Sequence, residues 1–354
     1  MTHNELPANE GQKGIVLCTG LLLLATFPIL ANEIIDIGPE FGMRSPQVAH
    51  LLMLGRVAVS VALFFWLSGL VIARTTRART RPGPRLLIRG AAVTAGALTM
   101  YTTAPGTAAP EVAAVVSGVT VAWLGLEVCR ARGLVLWDLY EGSRTSSVPR
   151  VRRNWTAFDL SLAWCAGGGF TATVLEYVLR SIDADLSIMD SGQLSALSIS
   201  NPATLIAATA AASMLETVTI IAAVTALLTA ARRPPWQIYT MVCTAEVLIH
   251  AYIGLPAVGI ALYAAGQVWV YRKYGTLTPM LLGHFSVNLA GGMAALLQLS
   301  LAHRIIAGIV LACSMEVIEH LVKKRTRSDS SSPDAHSSPL TLPVGTAGEK
   351  EMSS

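Results

Sequence analysis

Charged residues are scarce in this chain: Asp, Glu, Lys and Arg make up 14% of its 354 residues, where a soluble protein carries roughly a quarter. Aromatic residues are few as well, at 6%. With 53% hydrophobic residues and a mean hydropathy of +0.54, this shortage excludes an ordinary water-soluble domain. The five cysteines, Cys18, Cys129, Cys165, Cys243 and Cys313, lie in or at the ends of apolar runs and none pairs as CxxC. They read as packing residues, with no disulfide framework and no zinc motif indicated. An HExxH motif is also absent. The opening MTHNELPANEGQK has no positive cluster ahead of the first apolar run, and no clear small-x-small site follows that run. The run is therefore expected to stay in the protein as a helix and not to be removed as a leader. No fixed-period repeat and no matched pair of broken helices is visible, which argues against a repeat array or an inverted-repeat transporter.

What the chain has in abundance is apolar runs. They fall at 14–31, 52–73, 86–104, 109–128, 156–179, 202–230, 236–253, 255–270, 276–298 and 303–322. Each approaches the ~20 residues that a helix needs to cross ~30 Å of hydrocarbon. The expectation is an all-α, polytopic integral membrane bundle of about ten spanning helices. Its parts are a short cytoplasmic N-terminus (1–13), a flanking membrane bundle (14–200), a membrane core (201–322) and a tail (323–354) that is too polar and Ser/Pro-rich to bury a core.

The net charge of +4 does not point to nucleic acid, because the cations sit beside helix ends. Arg74, Arg77, Arg79, Arg81, Arg85 and Arg89 form one cluster, and Arg130, Arg132, Arg144, Arg150, Arg152 and Arg153 the next. Arg232 with Arg233, Arg272 with Lys273, and Lys323, Lys324, Arg325 and Arg327 complete a pattern that recurs after every second helix. Positive charge marks the cytoplasmic side, so both termini are expected there, in the cell membrane. The loop 181–201, with Asp183, Asp185 and Asp190 and no Lys or Arg, fits the outer side.

Against this background, Glu216, Glu246, His250, His284 and Asn288 stand out. An acidic side chain at the centre of a spanning helix costs about 2.5 to 3.5 kcal/mol on insertion scales, so a cluster of ionisable groups at such depth needs a reason. Glu216 lies mid-run in AASMLETVTIIAAVTALL, too far from either interface for a short side chain to reach it. It reads as a general base, with a hydrogen-bonded packing carboxyl as the alternative. Glu246 and His250 share a helical face in WQIYTMVCTAEVLIHAYIG, and a carboxylate beside an imidazole fixes its tautomer. His284 and Asn288 share a face at the same spacing in HFSVN, where two donors suit an oxyanion as well as an interhelical clamp. Gly167, Gly168 and Gly169 allow close helix approach, and Glu316, Glu319 and His320 read as an interfacial helix end.

The single Glu in one run, the His just before Gly254 and Pro256, and the YRKYGTLTP connection leading into HFSVN resemble the CPBP (Abi) family. That family holds CAAX prenyl endopeptidases and bacterial bacteriocin-processing and immunity proteins, and it is described as intramembrane glutamic proteases. The resemblance covers about residues 200–300 and is strongest over 246–292. It implies that Glu216 and His250 activate a water, that His284 and Asn288 hold the oxyanion, and that no cofactor is needed. The implied partners are a membrane-embedded or membrane-associated peptide and the lipid bilayer. The chain departs from the family pattern in two places. Where the family reads EExxxR, this chain has Glu216, Thr217 and then Val218, Thr219, Ile220 and Ile221; where the family has an aromatic four residues before its His, Glu246 stands. Glu246 is therefore expected to support His250. Three other readings remain open: a catalytically silent scaffold or immunity protein of the same fold, a zinc-dependent protease using Glu216, Glu246, His250 and His284, and proton-coupled transport.

Overall fold

A computed structural model describes residues 8–37, 45–77, 82–104, 107–137, 150–182, 199 and 201–299. Helix follows helix: α1 (Ala8–Ile37), α2 (Pro46–Arg77), α3 (Pro82–Thr103), α4 (Pro110–Ala131), α5 (Arg150–Ile182) and α6 (Pro202–Met214). A π-helical segment (Leu215–Ala223) continues α6 directly into α7 (Val224–Ala230). Then come α8 (Pro235–Ile249), two 3₁₀ turns (Ala251–Ile253 and Leu255–Gly259), α9 (Ile260–Tyr274) and α10 (Leu277–Leu296). Among the described residues there is no β-strand. Five helices begin on a proline, Pro46, Pro82, Pro110, Pro202 and Pro235, where the missing N–H costs nothing and the ring presets the backbone. Asn201 caps α6, accepting the Thr204 backbone N–H at 3.0 Å.

The apolar runs up to residue 298 each overlap one of these helices. The run at 303–322 with Glu316, Glu319 and His320, the tail 323–354, and Asp183, Asp185 and Asp190 lie outside the described residues. Among the described residues five helices are long and apolar enough to cross a membrane: Gly11–Ile35, Pro46–Arg77, Glu111–Ala131, Arg150–Leu179 and Pro202–Ala230. The protein is thus a helical membrane bundle, but length and composition meet the ten-span expectation in five helices only. The reasons are local. Helices α8 and α9 have 15 residues each, about 22 Å at 1.5 Å per residue and short of the hydrocarbon thickness. Helix α3 carries Arg85 and Arg89 in its first turns, and α10 has His284 and Asn288 in an otherwise apolar sequence.

The continuous helix 202–230 is the axis of the bundle. Its most apolar stretch is 89% buried, against 17–50% for the other four spans. Helices α1, α4, α8, α9 and α10 all pack on its π-helical segment. The outer helices turn large apolar side chains outward, among them Leu51, Phe65, Leu87 and Phe170, as hydrocarbon surroundings allow. Where apolar solvent gives helices no hydrophobic reason to associate, small residues and hydrogen bonds bring them together. Ser60 bonds Thr103 at 2.9 Å between α2 and α3, and Thr99 bonds Thr120 at 3.1 Å between α3 and α4.

Helix α5 lies directly on α9 and α10. Of the three adjacent glycines, Gly168 makes the close approach, with the Tyr263 side chain where its own Cβ would be. A Cβ at Gly167 or Gly169 would meet nothing within 4 Å.

One buried charge was not singled out in the sequence. Glu127, 1% exposed near the end of α4, is held by Arg74 Nε at 2.8 Å, Arg130 Nη1 at 2.9 Å and the Trp123 indole N–H at 3.2 Å.

Candidate functional site

Glu216 and Thr217 open the π-helical segment. Its wider winding is seen at Val224, whose N–H points to the carbonyls of both Thr219 and Ile221. Such segments are rare and are enriched where a helix must present side chains that α-helical spacing would turn away. Here two consecutive polar residues, both buried, meet groups from neighbouring helices.

His284 of α10 is the hub, 3% exposed. Its Nε2 lies 2.8 Å from Asn288 Nδ2 and 3.4 Å from Glu216 Oε2. Its Nδ1 lies 2.9 Å from Thr217 Oγ1 and 3.0 Å from the Tyr263 hydroxyl, which α9 supplies. An amide N–H can only donate, so the Asn288 contact makes Nε2 the acceptor and leaves the imidazole hydrogen on Nδ1. The hydroxyl oxygens of Thr217 and Tyr263 then receive that hydrogen. A chain of hydrogen bonds therefore runs from Asn288 through His284 to Tyr263, with Glu216 Oε2 3.4 Å from His284 Nε2.

Glu246 approaches from α8, fully buried. Neither of its oxygens has a hydrogen-bond donor. His250 sits where α8 stops: the helix ends at Ile249, and His250 has φ −109° and ψ 11°. Gly254 follows at φ +75°, a left-handed turn that glycine adopts without strain. The pairing expected of Glu246 and His250 therefore takes a different form. The His250 Nδ1–H donates to the Glu246 backbone carbonyl at 2.8 Å, while the nearest carboxyl oxygen is 4.0 Å away. This fixes the tautomer, leaving Nε2 of the partly exposed ring with its lone pair free.

Glu216, His284 and Asn288 are thus gathered into one cluster, and Glu246 and His250 stand together at the end of α8. Thr217 and Tyr263 belong to it and were not anticipated. A signal for Tyr263 was available: Tyr263 and Gln267 are polar residues at four-residue spacing in an otherwise apolar run. Gln267 bonds α5, its amide donating to the Ser161 carbonyl at 2.9 Å and its Oε1 lying 3.0 Å from the Ser161 hydroxyl. Among the described residues no three His, Cys, Asp or Glu side chains converge as a metal would require. No protein-family model, no curated protein and no solved structure matches the chain.

Proposed function

We propose that this protein is an intramembrane endopeptidase of the CPBP type, with ten spans and both termini on the cytoplasmic side of the cell membrane. The observation that carries the reading is the cluster itself: Glu216 Oε2 stands 3.4 Å from His284 Nε2, with Asn288 on the same nitrogen. In the reaction, Glu216 takes a proton from a water while His250 Nε2 accepts a hydrogen bond from it, and the hydroxide attacks the scissile carbonyl of a membrane-embedded or membrane-associated peptide. The proton on Glu216 then passes to His284 Nε2, which becomes a donor as charge builds on the carbonyl oxygen. That N–H and the Asn288 amide, released from the imidazole, hold the oxyanion, one such donor being typically worth ~3 kcal/mol; as the intermediate collapses the C–N bond breaks and the His284 Nε2 proton passes to the departing amine. No cofactor enters these steps. The test is cleavage of a quenched peptide library by purified protein, with Glu216→Gln as control.

A second reading, a non-enzymatic scaffold or immunity protein of the same fold, is supported by two observations. Thr217 and Ile221 stand where the family pattern has its second Glu and its Arg, and the Asn288 amide is already engaged by His284. A library left uncut by folded protein would favour that reading. Elemental analysis decides the zinc alternative.

A further inference from the structure

Away from the acidic cluster, three helices bring three guanidinium groups to one corner of the bundle. Arg74 lies in the last turn of α2, Arg89 in the opening turns of α3 and Arg130 in the last turn of α4. Arg74 Nε stands 2.8 Å from Glu127 Oε2, and Arg130 Nη1 2.9 Å from Glu127 Oε1. One negative charge is thus shared between two cations. Arg89 is held differently: its Nε donates to Thr75 Oγ1 at 2.8 Å and its Nη2 to Thr76 Oγ1 at 2.7 Å. Each of these hydroxyls already donates its own hydrogen within α2, to the Val71 and Ile72 carbonyls at 2.8 Å, so toward Arg89 it can only accept. A neutral oxygen fixes a guanidinium in place without neutralising it. Three positive charges therefore stand against one negative, and no carboxylate pairs with Arg89 among the described residues.

Positive charge at helix ends is ordinary in a membrane protein, where it sets orientation. Orientation does not require cations to be locked in position, and these are locked by a carboxylate and two hydroxyls. The surface beside them is apolar: Ile72, Leu86 and Leu87 are exposed, and a shallow groove lined by Leu86, Leu87, Gly90, Ala91, Thr94 and Leu98 runs along the outward face of α3. A guanidinium held in a fixed pose matches the oxygens of a phosphate with two parallel N–H groups, and basic sites between membrane helices recognise anionic headgroups in this way. We propose that Arg74, Arg89 and Arg130 form a binding site for the phosphate headgroup of an anionic phospholipid, whose acyl chains lie against Ile72, Leu86 and the groove of α3. A zwitterionic lipid carries a cation of its own that three arginines repel, and a free phosphate has no chains to lay on the apolar surface. The site shares no residue with the acidic cluster and does not depend on the endopeptidase reading.

The test is native mass spectrometry of full-length protein in a neutral detergent, titrated with phosphatidylglycerol and with phosphatidylcholine of the same acyl chains. Wild-type protein should bind one phosphatidylglycerol roughly tenfold more tightly than phosphatidylcholine, and millimolar inorganic phosphate should not displace it. Arg89→Gln should weaken phosphatidylglycerol binding by about fivefold, the loss expected for one interfacial cation. Thr76→Val keeps every charge and removes one of the two acceptors that orient Arg89; it should weaken binding by about threefold. Arg152→Gln removes an exposed positive charge on α5 and should leave binding unchanged. Thermal unfolding shows which variants are folded, and if Arg89→Gln is not, Thr76→Val at its exposed position decides, with wild-type binding there overturning the proposal. Equal affinity for the two lipids, or equal losses in Arg89→Gln and Arg152→Gln, makes the corner part of a general positive field and overturns the proposal as well. Displacement of phosphatidylglycerol by inorganic phosphate overturns the assignment to a lipid.

Discussion

Glu127 and Glu216 are both carboxyls closed away inside the bundle, and they are held in opposite ways. Glu127 is clamped by two guanidinium groups and an indole N–H, at the end of α4 where the basic residues cluster. Its charge is met by charge, and it ties α2 to α4. Glu216 lies mid-helix with the His284 imidazole 3.4 Å away and no Lys or Arg ion-paired to it among the described residues. A carboxylate that serves the fold is neutralised, because an unpaired buried charge is costly. One kept apart from cations retains the capacity to take up a proton, which is the property a general base requires. In this protein the difference between paired and unpaired buried carboxyls separates architecture from the proposed chemistry.

The largest expected effect breaks the comparison in both directions at once. Glu216→Gln should lower kcat by roughly two to four orders of magnitude and leave thermal unfolding nearly unchanged. Glu127→Gln should do the reverse, costing about 1–3 kcal/mol of stability with turnover per folded molecule intact. That cost is discounted because Arg74 and Arg130 are 40% and 45% exposed and can partly rehydrate. Parallel unfolding curves and kinetics on the two variants check both halves; a stability loss in Glu216→Gln with activity retained would place the two carboxyls in one class.

Next in size, His284→Ala and Asn288→Ala should each reduce kcat by about 100-fold with little change in KM, as expected for donors used only in the transition state. A rise in KM alone would make them substrate-binding groups. Smaller still is Gly168→Ala, which drives a methyl group into Tyr263 and should cost about 1–3 kcal/mol. Turnover should fall with it, since the Tyr263 hydroxyl bonds His284. Gly167→Ala and Gly169→Ala, with open space at their Cβ positions, should leave both measurements near wild type. The smallest effect expected is none: strong chelators should not change turnover, and purified protein should hold no stoichiometric zinc. About one zinc per chain, with activity lost to chelation and restored by zinc, would replace the glutamate mechanism.

Much of this was legible in the sequence because hydropathy and charge act over whole segments. The central run 202–230 emerges with the bounds read from its composition, and Glu216, His284 and Asn288 meet as their isolation in apolar runs suggested. What escaped is local backbone geometry and contact between distant segments. No Pro or Gly announces the π-helical winding at Leu215–Ala223, so Thr217 read only as a departure from the family pattern. Four-residue spacing implied that the Glu246 carboxyl faces His250, but the helix ends one residue before the imidazole and the backbone carbonyl takes its place. Glu127 was passed over because its arginine partners lie at 74 and 130, and the more distant of the two becomes a neighbour only when α2 packs on α4.

The most direct test of the central claim, that this cluster hydrolyses peptide bonds with a water activated by Glu216, is cleavage in oxygen-18 water. Purified wild-type and Glu216→Gln proteins, each shown to be folded, are incubated with the same peptide library and the products weighed by mass spectrometry. The account predicts cleavage by the wild type alone, with one solvent oxygen in the newly formed carboxyl end. Cleavage at equal rate by Glu216→Gln, or an untouched library in the presence of folded wild-type protein, would contradict it.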